Sequence, residues 1–242
     1  MASRLITILL VTCLIACSGV PAVRDVGPAE PVVAPSAEDL SVVYAALAQP
    51  GGRVFRLNPK TSSIQAFAFR AGRAARFGHN HVLSAPAFDG FFYLAPDGTA
   101  ASRFDLVFRL DQLVFDLPEH RAKLGPAFAS TISAEDTAST RNNMLGDNSF
   151  QAARFPWLRI QSLQIVGAAP KFAVKLALTL HGETREIWTP LTVIGLPEQL
   201  KVQGALVLKQ SDFGIKPFSV FGGLLAVHDE VVVEFSLAAD AL

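Results

Sequence analysis

Apolar side chains recur at every second position over much of this chain, and that period is the strongest constraint on its fold. Phe104, Leu106, Phe108 and Leu110 alternate with Arg103, Asp105, Val107 and Arg109. Phe172, Val174, Leu176, Leu178 and Leu180 are set against Lys175, Thr179 and His181, and Leu200, Val202, Gly204, Leu206 and Leu208 against Lys201, Gln203 and Lys209. A period of two places each apolar set on one face of a strand. Further runs lie at 63–70, 74–83, 88–94, 187–193 and 231–237, and turn signals separate them. Pro96-Asp97-Gly98 is one such signal: Pro presets φ and Gly accepts a positive φ. Gly182-Glu183 is another. The count is about eight antiparallel strands. A sheet with that much apolar face must be covered, and closing it on itself also removes both edges. An all-β barrel or tightly rolled sandwich follows, with an interior that side chains fill or that holds one slender ligand.

The connections are less regular. Asp39 to Ala48 reads as a brief helix, and 118–140 as irregular or weakly helical. Thr140 to Phe150 is a polar turn of one or two helical turns, with Met144, Leu145 and Phe150 spaced to bury one side. Phe155-Pro156 stops it, because the residue before proline avoids the α conformation. Leu158 and Ile160 then begin a strand. This piece reads as a cap on one end of the barrel.

The first residues have a different character. Arg4 precedes an apolar stretch from Leu5 to Ala16, too short to span a bilayer comfortably. Its end, Leu14-Ile15-Ala16-Cys17, resembles a bacterial lipobox, which implies acylation of Cys17. Several acyl chains on one residue give a stable membrane anchor. Ser18 follows, and by similarity to lipoproteins lacking Asp there, the expected place is the outer membrane, facing the periplasm. The expected layout is a signal segment with lipobox over 1–17, a Pro/Ala/Val-rich tether over 18–53 and one β domain over 54–242. With Cys13 in the removed segment, Cys17 is the only mature cysteine, so packing holds the fold without a disulfide. The 21 basic and 21 acidic residues balance, which argues against broad electrostatic binding of nucleic acid.

Few residues suggest chemistry. His79 and His81, in Gly78-His79-Asn80-His81, would lie on one side of a strand about 7 Å apart. They could share Zn²⁺ or Cu²⁺ if His228, Asp229 or Glu230 completed the set, since an open zinc site needs three ligands. Equally, the pair could hydrogen-bond backbone or carboxylate at a barrel mouth. Asp212-Phe213-Gly214 stands without the glycine-rich and catalytic loops of a kinase, no Gly-x-Ser-x-Gly elbow is present, and no free thiol remains in the domain. No enzyme class, and no cofactor beyond that alternative metal, is indicated.

Four pieces carry a resemblance: Arg141 to Ser162 with its Met-Leu, Phe and Phe-Pro marks; Leu178 to Arg185 (LTLHGETR); Leu208 to Ile215 (LKQSDFGI); and Val227 to Val231 (VHDEV). In this order the chain resembles the YceI-like family of polyisoprenoid-binding, lipocalin-like barrels, departing from its pattern at Gly78 to His81. The resemblance implies an elongated antiparallel barrel with short helical caps, binding an isoprenoid or other apolar-chain lipid without catalysis. On that reading Phe67, Phe69, Phe88, Phe91, Phe92, Phe108, Phe172, Trp188 and Phe213 line a tunnel; alternatively they fill a core. Arg141 and Asn142 are placed either to touch a lipid head group or, for Arg141, to pair with a neighbouring acid.

Overall fold

The computed structural model describes residues 37–48 and 51–242. The expected signal segment, Cys17 and the first half of the expected tether lie outside the described residues. Twelve strands form one antiparallel sheet: β1 (Arg53–Leu57), β2 (Ser63–Ala71), β3 (His81–Ser84), β4 (Asp89–Leu94), β5 (Arg103–Arg109), β6 (Val114–Phe115), β7 (Trp157–Ala168), β8 (Lys171–Leu180), β9 (Glu183–Ile194), β10 (Leu200–Lys209), β11 (Ser219–Val220) and β12 (Leu225–Ala241). Three helices accompany them: α1 (Ala37–Ala48), α2 (Pro118–Arg121) and α3 (Ala134–Leu145).

The sheet closes. β12 pairs with β10 along one edge, and its other edge is shared, β2 taking 226–236 and β1 taking 239–241. β1 with β2, β3 with β4, and β5 with β6 are each one barrel strand broken in the middle. The result is an eight-strand up-and-down antiparallel barrel in which every strand pairs with its sequence neighbours and the last pairs with the first. The breaks have local causes. Asn58 turns the chain between β1 and β2, its side chain accepting a hydrogen bond from the Lys60 amide at 3.0 Å. Pro86, which has no N–H to give a ladder, separates β3 from β4. A 3₁₀ turn at Leu110–Gln112 separates β5 from β6.

The period-two reading holds best on β5, β8 and β10, where the expected apolar faces point into the barrel. It shifts elsewhere. The run expected from Ala74 begins as a strand only at His81, because Ala75–Phe77 form a 3₁₀ turn. β12 is longer than 231–237, since a register shift between Val227 and Val231 interrupts its alternation. The polar turn expected at 140–150 is instead the end of a 12-residue helix, α3. Ser133 caps it, accepting from the Asp136 amide at 3.0 Å, and Glu135 and Asp136 complement the N-terminal dipole.

α1 falls inside the expected tether yet packs on the outside of β1, β4 and β5. Leu40 and Tyr44 are buried with Val54, Phe91, Tyr93 and Val107. The Tyr44 ring stacks on Phe91 at 5.2 Å, so Phe91 faces outward rather than into a tunnel. The Tyr44 hydroxyl donates to the Asp105 carboxylate at 2.8 Å, and Arg103 and Arg159 pair with the same carboxylate at 3.0 and 3.2 Å. Burial first, then the facing carboxylate, push the phenol's ionisation far upward, so it stays a donor. Tyr44→Phe removes this bond and keeps the ring. It is expected to lower stability by about 1–2 kcal/mol, read as a lower urea midpoint; an unchanged midpoint would mean that the bond contributes nothing to holding α1 on the wall.

Candidate functional site: an apolar cavity inside the barrel

The inward faces of the barrel do not meet. They enclose a cavity of about 220 Å³, many times the ~15 Å³ that one water requires. The walls are built by the alternating runs: Phe104, Leu106 and Phe108 on β5, the Phe172-to-Leu180 series on β8, and Val202, Leu206 and Leu208 on β10. Ile64, Ala66 and Ala68 on β2 give the wall opposite, where small side chains leave room. Among the lining residues only Thr99, Ser149, Lys209 and Gln210 are polar. Thr99 lies at the end of the barrel where β4 turns into β5, and the other three at the opposite end. The middle of the cavity offers a ligand nothing but hydrocarbon and aromatic surface.

Of the aromatic residues expected to line it, Phe92, Phe108, Phe172 and Phe213 do so. Phe88 is buried in the same core but does not border the cavity. Phe67 and Phe69 are corrections: they point outward, and Ile64, Ala66 and Ala68 take the inward positions of β2. The excursion between β6 and β7 covers that outer face, with the Phe128 ring edge-on at 6.0 Å from Phe67 and 6.3 Å from Phe69. Alternation gives the two faces of a strand but not which is inside, and here both are apolar. Trp188 is a correction too. It is 51 % exposed on the outside of β9, while Leu191 and Val193 face in. The lining missed from sequence is mainly aliphatic, with Phe104 and Phe235 beside it, and was carried largely by the same alternating runs; Met144 and Phe150 come instead from the cap.

The quoted family-like motifs come together at the cap end. The Phe155 ring lies edge-on to His181 at 4.9 Å, and His181 Nδ1 is 2.9 Å from the Phe213 carbonyl. His181 occupies a left-handed turn (φ 54°), so it leaves the polar face of its strand and ties the β8–β9 turn to the turn after β10. The Asp229 carboxylate accepts from the Ser211 amide at 2.8 Å and from the Ser211 hydroxyl, which holds it below the usual carboxylate range. Arg141 makes no direct ion pair among the described residues, although, after the larger effect of Arg109, its charge helps to hold the nearby Asp111 carboxyl low. Its guanidinium donates to the Asp111 and Leu113 carbonyls and lies over the Phe115 ring, fixing α3 to the broken strand.

The histidines are not brought together. His79 Nδ1 meets the Ser130 hydroxyl at 3.0 Å, His81 Nδ1 meets Asp116 at 2.7 Å, and His228 is exposed at the start of β12. Among the described residues no group of three or more His, Cys, Asp and Glu is placed to hold a metal. The pair instead fastens the β6–β7 excursion to β3. Asp116 is the centre of this fastening: buried, it accepts from His81, from the Val82 amide at 3.0 Å and from Arg121 at 2.7 Å. Arg121 also donates to the Asn80 and Ser130 carbonyls.

Burial alone would raise the Asp116 carboxyl; the bond and charge of His81, the Val82 amide and Arg121 outweigh it and hold the group below its ordinary value. A depressed folded value means stability that is fully present above the ordinary carboxylate range and is lost as pH falls through the folded one. Asp116→Asn keeps the shape and leaves Arg121 buried without its counter-charge. A loss of about 3 kcal/mol is expected at neutral pH, closing as pH drops below the ordinary carboxylate range. Denaturant midpoints of both proteins across pH 2–8 check this, and a pH-independent difference would refute it.

An up-and-down antiparallel barrel around an apolar interior is the lipocalin-like fold. The YceI-like domain model matches residues 55–239, and the chain belongs to that family. Among solved structures it is similar to BcnA of Burkholderia cenocepacia, with a TM-score of 0.54 and 17% identity over 75% of this chain and 98% of that one, a likeness of fold. Similarity to the YCEI protein of Campylobacter jejuni is looser, with a TM-score of 0.41 and 13% identity over 55% of this chain and 70% of the other, too loose to define a shared fold by itself. No curated protein matches the chain.

Proposed function

We propose that this protein is an envelope lipoprotein that carries a polyisoprenoid or similar apolar lipid chain inside its barrel and performs no chemistry on it. The family is associated with binding apolar ligands. The observation that supports the finer reading is the cavity: its lining residues come from both ends of the barrel, the polar ones are confined to those ends, and its middle is apolar. Such a space suits an unbranched or methyl-branched chain with one polar end at a rim. Each CH₂-sized unit moved from water into it contributes roughly 0.8 kcal/mol, so affinity requires no polar contact in the middle. The lipobox-like end of the apolar N-terminal stretch supports anchoring through Cys17 and a periplasmic face of the outer membrane. The domain over 54–242, extended by the docked α1, would then work near the bilayer from which its cargo comes.

Native mass spectrometry on protein purified without detergent tests the carrier reading. A stoichiometric adduct of isoprenoid or acyl-chain mass is expected, while a bare protein that also fails to take up added polyprenol counts against it. Ala66→Phe puts a ring into the space beside β2. It is expected to abolish the adduct while leaving a cooperative unfolding transition; an adduct of unchanged mass and occupancy would place the ligand elsewhere.

A further inference from the structure

At the cap end of the barrel two loops meet and expose apolar side chains that nothing in the described chain covers. The β11–β12 hairpin presents Phe221 at its tip, 77 % exposed, with Phe218 and Leu224 each 47 % exposed. The loop from β2 to β3 presents Phe77, 66 % exposed. The two loops are joined: the Ala74 amide donates to the Leu224 carbonyl at 2.8 Å, and a side chain at Gly72 would collide with the Gly223 and Leu224 carbonyls. Gly72 therefore permits the close approach that makes one patch of two loops. Phe221 itself sits at φ 52°, in the left-handed region that a bulky side chain rarely adopts. An aromatic held in that conformation and turned to solvent is not explained by packing within the chain. Clustered exposed apolar residues mark contact surfaces.

The charges around the patch identify the contact. Residues 70–88 contain Arg70, Arg73 and Arg76 and no acid; residues 213–228 contain Lys216 and no acid. Arg73, Arg76 and Lys216 are exposed, and the Arg76 guanidinium lies 4.6 Å from the centre of the Phe77 ring. Asp212, Asp229 and Glu230 flank these stretches, with Asp229 bonded to Ser211 and Glu230 3.9 Å from Lys209. In a chain with equal acid and base, this surface is apolar and cationic together. Aromatic side chains ringed by Arg and Lys match a bilayer of anionic lipid, where rings sit at head-group depth and cations meet phosphate.

We propose that the loops around Phe77 and Phe221 dock the barrel on an anionic lipid bilayer. The docking stands on loop geometry and charge and does not depend on which cargo the barrel holds. The patch adjoins the cavity rim, because Gln210, which lines the cavity, donates to the His228 carbonyl on the same strand as the hairpin. Docking would therefore present that end of the cavity to the membrane.

Amide hydrogen exchange of the full chain, free and with vesicles, reads the loops one by one and separates their insertion from any attachment through the N-terminus. With vesicles of equal phosphatidylglycerol and phosphatidylcholine, amides of 72–79 and 218–225 are expected to exchange several-fold more slowly, with no such change on phosphatidylcholine alone. Replacing Arg73 and Arg76 with Ala, both exposed, is expected to weaken this protection about fivefold per cation while α1 and the barrel strands exchange as before. Unchanged loop exchange on anionic vesicles overturns the proposal. So does equal protection on neutral vesicles, which removes the role of charge, or the same protection in concentrated protein without lipid, which assigns the patch to a second copy of the chain.

Discussion

The closure of β12 on both β10 and the β1–β2 pair is the interaction on which the rest depends. β12 is the longest strand, at 17 residues, and its second edge would otherwise be a long row of unpaired amides and carbonyls. Taking up that edge needs more length than β1 offers, so the chain steps around Asn58 and continues as β2. Without this sharing the sheet stays open, and its apolar inner face meets water instead of a cavity. The site is thus a consequence of hydrogen-bond pairing as much as of hydrophobic burial. The ladders hold the wall at a fixed radius, and side chains too short to reach across leave the space inside.

The broken strands do a second job. The third of them, β5 with β6, ends in the longest departure from the barrel, between β6 and β7, which carries α2, Phe128 and α3 around the outside and over one end. A polar fastening keeps it there. Asp116, His81, Asn80 and Arg121 satisfy one another at close range in a place that would be costly for any of them alone. The outer wall of β2 can therefore be aromatic without being exposed, and Phe67 and Phe69 are explained by this cover and not by a ligand. On the other side α1 plays the same part over Phe91 and Val107, with Asp105 as its polar centre. Two helical pieces from distant parts of the chain dress the barrel, each around one buried carboxylate.

How much of this was legible follows from the same distinction. Period two gave most of the strands and the faces of β5, β8 and β10, because on these the outward residues are mostly charged or polar and the assignment is unambiguous. The barrel class and the family-like motifs were legible too, and Phe92, Phe108, Phe172 and Phe213 fell where they were expected. β2 and β4 were ambiguous because both faces are apolar. Only the cover from Phe128 and Tyr44, 61 and 47 positions away from Phe67 and Phe91 respectively, decides which side is out. Trp188 misled because size was read as burial, whereas strand parity with Leu191 and Val193 puts it outside. α3 hid behind its weak apolar content; the signal present was Ser133 ahead of Glu135 and Asp136. The histidines suggested a metal because spacing on one strand can be counted, while Asp116 and Ser130, which engage them, come from a loop whose path the sequence does not reveal.

An interior of this kind selects ligands by exclusion. With no polar partner in its middle, a group that hydrogen-bonds to water would leave those bonds behind on entry and find none to replace them, at a cost of about 1–3 kcal/mol for each buried unsatisfied group. An apolar chain loses nothing and gains with every methylene. Two or three polar groups along a ligand would therefore cancel the gain from several methylenes, whereas one polar group at the end could remain at a rim beside Lys209, Gln210 and Ser149, or beside Thr99. The wall composition makes a distinction between apolar chains and amphiphiles decorated along their length. Among apolar chains it discriminates only through width and length, since branches must fit between β2, where Ala66 and Ala68 stand back, and β8, where Leu176 and Leu178 stand forward. On the proposed carrier reading, discrimination between lipids is a matter of shape along the small-residue wall, and substitutions there would change the choice of chain before they changed the affinity for hydrocarbon as such.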